Sequence, residues 1–110
     1  MDAVLHALAD ESRRTMLEVL RDHPATVTEL AELLPIARPG VSRHLRVLRE
    51  AGLVEERRAG RQRIYRLEAE PLREVADWLA PYERFWRGRL AGLRDLLDSG
   101  AADLPPGAGS

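Results

Sequence analysis

Apolar residues recur at helical spacing over two neighbouring stretches of this chain. In the second of them Val41, Leu45 and Leu48 fall at i, i+4 and i+7, the pattern of a helix with one buried face. Pro39 suits a first helical position, where its missing N–H is no loss, and Gly52 suits the left-handed residue just past a helix end. These signals predict a helix from Pro39 to Ala51. The stretch before it opens with Thr26-Val-Thr-Glu29, a capping box in which Thr26 accepts from the Glu29 N–H while Glu29 reaches back. Leu30, Leu33 and Leu34 supply its apolar stripe, Pro35 ends it, and Ile36, Ala37 and Arg38 are enough residues to turn into the next helix.

After Gly52 the period changes. Leu53-Val54, a charged run through Arg58, Ala59-Gly60 and then Arg61-Gln-Arg-Ile-Tyr-Arg-Leu67 read as a hairpin turning at the glycine. Two helices, a turn and a hairpin follow in winged helix-turn-helix order over residues 26–67, which predicts a DNA-binding core. The fold expected is mainly α with a small β-hairpin wing.

The polar face of the 39–51 helix carries Ser42, Arg43, Arg46 and Arg49. Residues near the N-terminus of a recognition helix meet base edges, and those further along reach phosphates. Arg38, Ser42 and Arg43 are therefore assigned to bases. His44, Arg46, Arg49 and the wing residues Arg57, Arg58, Arg61 and Arg63 are assigned to phosphates or the minor groove.

Taken as a total, the net charge of −1 over 110 residues argues against a nucleic-acid partner, but its distribution reverses that impression. From Arg38 to Arg66 nine arginines stand against three glutamates, a net of +6, so the remainder carries −7. Such segregation orients a protein on DNA. The length allows one domain, over residues 1–98, with a core small enough that association is expected to complete it. There are no cysteines, so disulfides and thiolate ligands are unavailable. No signal peptide and no run of about 20 apolar residues is present, so a cytoplasmic location without a membrane is expected.

The run Val41-Ser-Arg-His-Leu-Arg-Val-Leu-Arg-Glu-Ala-Gly-Leu-Val54 closely resembles the ArsR/SmtB family of bacterial winged-helix transcription regulators. The resemblance extends from Ala7-Leu-Ala-Asp-Glu-Ser-Arg-Arg14 through Gly60-Arg-Gln-Arg-Ile-Tyr-Arg-Leu67. It implies a homodimer on inverted-repeat DNA, usually a repressor, whose affinity changes with a signal. Many members sense metals, so the resemblance also directs attention to ligands. The thiolate position has no match, since 28–34 offers only Glu29 and Glu32. The other common site needs histidine on the last helix, yet 71–98 contains none, and Asp77 and Glu83 alone compete poorly for zinc or nickel. No cofactor is required on this reading, and the signal is left to a small molecule or a partner protein.

Each histidine has a plain reading and a sharper one. His44 either bonds a phosphate, as the family pattern favours, or supports Arg43. His23, before Pro24, reads as a residue closing a helix end. His6 reads as a surface residue, with one alternative: a weak metal site shared with Asp2, Asp10 or a carboxylate of a second copy.

The last helical region carries Leu72, Val75, Leu79, Tyr82, Trp86, Leu90, Leu93 and Leu97 in steps of three and four, flanked by Trp78 and Phe85. Pro81 is expected to kink or divide it near Leu79 and Ala80. In the family the first helix packs on the last across the dimer. That assigns Val4, Leu5, Leu8, Leu79, Tyr82, Trp86, Leu90, Leu93 and Leu97 to the dimer interface, with a small apolar effector pocket as the alternative. Catalysis is not expected: Ser12, Ser42, Ser99 and Ser110 lack an elbow or His/Asp partners, and Glu55-Glu56 fits solvent exposure. The other class of reading is a protein-interaction module on a winged-helix scaffold, opposed by the intact basic residues. The Gly-, Ala- and Pro-rich tail 99–110 is expected to be disordered.

Overall fold

The computed structural model describes residues 1–87. Leu90, Leu93, Leu97 and the tail 99–110 lie outside the described residues. The chain divides into two units, Met1–Val75 and Ala76 onward.

The first unit begins with α1 (Asp2–Leu8) and α2 (Glu11–Asp22), separated where Asp10 caps the second helix. Asp10 Oδ2 accepts the Arg13 backbone N–H at 3.0 Å. The Arg13 side chain turns back and donates to the last carbonyls of α1, to Ala7 O at 2.7 Å and His6 O at 2.9 Å. Ala7 O thereby gains a partner at the corner between the two helices, and His6 O, which also accepts the Ala9 N–H, gains a second. At the other end of α2, His23 is the C-cap, but its ring Nδ1 lies 2.9 Å from Pro24 O and not on the helix carbonyls expected from sequence.

Strand β1 (Ala25–Thr26) leads into α3 (Val27–Leu33), whose capping box forms as expected, with the Glu29 N–H 3.1 Å from Thr26 Oγ1. Helix α4 (Arg38–Glu50) begins one residue earlier than predicted, so Pro39 is its second residue and Arg38 its first. It closes in a Schellman motif: Gly52 N–H donates to Arg49 O and Leu53 N–H to Leu48 O, both at 2.9 Å. Gly52 takes φ +77° there, a value that a β-carbon would strain.

Strands β2 (Val54–Ala59) and β3 (Gln62–Leu67) form the hairpin, with Ala59 opposite Gln62 and Gly60-Arg61 as the two-residue turn. Gly60 alone of these two has positive φ, +64°, which matches a II′ turn. The third strand was not anticipated: β1 pairs antiparallel to β3, Ala25 opposite Tyr65, giving the order β1-β3-β2.

Helix α4 packs on α1, α2, α3 and β2. Val41, Leu45 and Leu48 join Met16, Leu20, Leu30 and Leu53 in the core. Two sequence expectations change here. Leu33 is 60% exposed, because α3 ends at that residue and the chain swings out to bury Leu34 instead. Val4, assigned to a dimer interface, is buried in the core of the single chain, whereas Leu5 is exposed and Leu8 half-buried.

Helix α5 (Glu70–Leu79) is followed by a 3₁₀ turn (Ala80–Tyr82) and helical residues 83–87, so Pro81 divides the helix where expected. Within the second unit the Trp78 and Tyr82 rings pack at a tilt of 37° with centroids 5.1 Å apart. No helix among the described residues is long and apolar enough to cross a membrane.

Candidate nucleic-acid interface

The buried stripe of α4 fixes which residues face outward. With Val41, Leu45 and Leu48 pinned in the core, Ser42, Arg43, Arg46 and Arg49 emerge on the solvent side. Three hollows adjoin this face. One, of about 360 Å³, lies between α4 and the wing and is lined by Ser42, Arg46, Arg49, Glu56, Arg63 and Tyr65 among others. A second, of about 400 Å³, holds Arg13, Arg43, His44 and Arg46. The third, of about 220 Å³, holds Thr28, Arg38, Arg61 and Arg63. Arg46 is common to the first two and Arg63 to the first and third. Eight of the ten residues assigned to DNA thus surround α4 in one continuous basic surface.

Arg57 departs from the expected cluster at the wing tip. The ladder sets Arg58 opposite Arg63 and Arg57 opposite Ile64, and successive strand residues point to opposite faces. Arg58 and Arg63 therefore share the face of Glu56 and Tyr65, while Arg57 stands on the far face with Glu55 and Arg66. There Glu55 accepts from Arg66 Nη2 at 2.7 Å and from Arg57 Nε at 3.4 Å. The Arg66 hydrogen bond, with help from Glu68 and Arg57, holds the Glu55 carboxyl below the usual carboxylate range. Arg57 belongs to this network and leaves the basic surface.

The arginines accordingly form two classes. Arg43, Arg46, Arg58 and Arg61 have no carboxylate partner among the described residues, whereas Arg49, Arg57 and Arg63 each have one and Arg66 has two. Arg38 donates to Thr28 Oγ1, joining the start of α4 to α3. The expected solvent exposure of Glu55-Glu56 splits in the same way. The Glu56 side chain is only 17% exposed, with Arg49 on one oxygen and Arg63 Nε 3.3 Å from the other.

His44 is partly buried at the edge of α4, where its Nδ1 lies 3.4 Å from Arg13 Nη1 and 3.8 Å from Asp10 Oδ2. Asp10 and Arg13 thus support the recognition surface from behind, a role that their helix-corner position in the sequence did not disclose. The Arg13 N–H, opposed by desolvation and aided by the His44 charge, keeps the Asp10 carboxyl below its ordinary range. A lowered native pKa stabilises the fold above the unfolded value of ~3.9 and is lost as pH falls through the native one. Asp10→Ala is therefore expected to lower stability by about 1 kcal/mol at neutral pH. In urea unfolding across pH, that difference should shrink toward zero in acid; a constant difference would contradict the capping role.

Asp10, one of the ligands considered for His6, is committed to this cap, and no three metal-ligating side chains gather among the described residues.

Comparison with known proteins places this surface in a family. Residues 10–56 match the bacterial regulatory protein, arsR family. Over 102 residues the chain is 43% identical to the HTH-type transcriptional regulator Rv2034 of Mycobacterium tuberculosis, covering 93% of this chain and 92% of that protein. It is 30% identical over 79 residues to the transcriptional repressor SdpR of Bacillus subtilis, covering 72% and 88%. An ArsR-like transcriptional regulator from Rhodococcus sp. RHA1 superposes with a TM-score of 0.66 at 33% identity, over 86% of this chain and 90% of that one. The matched segment runs from the Asp10 cap through α4 into the wing at Glu56, and the chain belongs to the ArsR family of bacterial regulatory proteins.

Proposed function

We propose that this regulator is a homodimeric repressor that reads an inverted-repeat operator, with α4 in the major groove and the wing on the flanking phosphates. The observation that carries this reading is the outward face of α4. Ser42 and Arg43 stand near its N-terminal end, and Arg46 follows one turn on, with no carboxylate partner for either arginine among the described residues. Arg43 forks two N–H groups toward a guanine edge, and Ser42 complements it. Arg46, Arg49, Arg58, Arg61, Arg63 and His44 take phosphates, and Arg38 stands at the start of the helix beside Thr28. Two such helices related by a dyad meet half-sites roughly 34 Å apart.

A resident metal does not fit this donor set. The segment that would carry a thiolate pair offers only Glu29 and Glu32, and Asp77 and Glu83 stand without histidine in 71–87. The signal is accordingly assigned to a small molecule or partner protein, and the site of action to the cytoplasm.

The test is selection of duplexes from a random pool, followed by titration of the enriched and scrambled sequences across a salt series. Enrichment of an inverted repeat with half-sites one helical turn apart is expected, with binding that weakens steeply as salt rises; a pool without a shared motif overturns the reading. In the enriched duplex Arg43→Ala is expected to cost about 1 to 3 kcal/mol and to relax preference at one base pair, whereas Arg61→Ala should weaken all sequences alike. Equal losses on every duplex for Arg43→Ala would remove it from base reading.

A further inference from the structure

Between the recognition helix and the wing lies a carboxylate that DNA-binding chemistry alone would not place there. We propose that Glu56 is a positioning residue for DNA reading, bridging Arg49 of α4 to Arg63 of β3 so that helix and wing hold one relative angle and two guanidiniums are withheld from indiscriminate phosphate contact. This inference rests on the repressor reading given above.

The geometry is specific. Glu56 uses both oxygens, Oε2 for Arg49 and Oε1 for Arg63 Nε at 3.3 Å. Its side chain is 17% exposed, against 51% for Arg49 and 54% for Arg63, so the acid lies inward and the two cations lie over it. Across the ladder its partner is Tyr65, which is buried in the core. Burial pushes the Tyr65 phenol up, and the Glu56 charge adds to that, consistent with a carboxylate seated at the floor of the recess. Beyond the two residues paired with β1, the outer part of the wing is a two-stranded hairpin, which is marginally stable on its own. The Glu56 bridge ties β2 and β3 to α4 next to Ser42 and Arg46, the residues that face DNA.

Glu55 supplies the internal contrast. It has the same charge and is the adjacent residue, but it pairs with Arg57 and Arg66 on the far face and makes no ion pair with α4 among the described residues. Removing either acid changes the net charge equally; only Glu56 couples two DNA-facing elements.

Non-specific binding depends on how many cations reach phosphates in any arrangement, whereas specific binding depends on where they stand. Arg49 and Arg63 freed from Glu56 raise the first and blur the second. The test uses the full chain, the duplex that the wild type enriches from a random pool, and its scrambled version. Glu56→Gln is expected to tighten scrambled binding about threefold to tenfold, with a log–log salt slope steeper by about one to two units. Preference for the enriched duplex should fall about tenfold. Glu55→Gln should leave that preference within about twofold. Glu56→Asp, which keeps the charge on a chain too short to bridge both arginines, should lose preference without tightening scrambled binding, and it serves as the second variant should Glu56→Gln unfold.

If Glu55→Gln and Glu56→Gln lower the preference equally, or if preference survives in both Glu56 variants, the positioning role is overturned. A wild type that enriches no duplex overturns the repressor reading first, and the proposal with it, before any variant is compared.

Discussion

Trp86→Glu is expected to convert a dimer into monomers and to weaken binding to an inverted repeat at least a hundredfold, while the subunit stays folded. Trp78, Leu79, Tyr82, Phe85 and Trp86 fall within nine positions and are 37–57% exposed in the single chain. None belongs to the subunit core, whose partly buried periphery ends at Leu72 and Val75. An aromatic side chain carries 150–250 Å² of buriable surface, and exposed apolar patches of several hundred Å² mark association surfaces. A twofold contact is self-complementary, so one glutamate enters it twice. Operator affinity then falls because the second half-site is no longer bound intramolecularly, an advantage of 10²–10⁴ in linked systems. Sedimentation equilibrium and titration of a two-half-site duplex give the two readouts. A variant that remains dimeric at wild-type concentrations would place the interface elsewhere.

Leu45→Ala is expected to remove about 2 to 5 kcal/mol of subunit stability, measured by urea unfolding. Leu45 is 1% exposed at the centre of α4, where the helix meets its neighbours in the core. The loss is a large part of the 5–15 kcal/mol typical of a domain. It should appear as lowered operator occupancy in proportion to the unfolded fraction, with sequence preference retained by the folded remainder. The comparison is Leu33→Ala on α3, which is 60% exposed and should change stability by no more than about 0.5 kcal/mol. A loss at Leu33 equal to that at Leu45 would mean that α3 buries the face that its leucine spacing suggests and not the one in the structure.

The contrast between those leucines reflects how far local pattern reaches. Leu30, Leu33 and Leu34 share an apolar stripe by spacing, yet a helix ending at Leu33 rotates the next residue out of phase. Helix α4 is long enough for its period to survive to both ends, and it was legible along with its glycine stop. The recognition face was legible for the same reason, since whatever lies opposite Val41, Leu45 and Leu48 must face out. A two-residue strand such as β1 has no period to detect, and its pairing with β3 follows from contacts across forty residues of sequence.

Local chemistry, acting within about one helical turn or one hairpin, was written in the sequence itself: the Thr26–Glu29 capping box, the Gly52 helix stop, the Gly60 turn and the break at Pro81. So was the concentration of arginines between 38 and 66. The tertiary structure alone decided which of those charges stand without a carboxylate partner among the described residues. Glu55 and Glu56 are indistinguishable as neighbours in sequence, but the strand's alternation and the position of α4 send one to the far face and one beneath the interface. Likewise, only packing put Val4 in its own core and set Arg13 behind His44. The physical reason is range: caps, turns and helix faces depend on residues a few positions apart, whereas ion-pair partners and buried faces depend on which distant segments the folded core brings together.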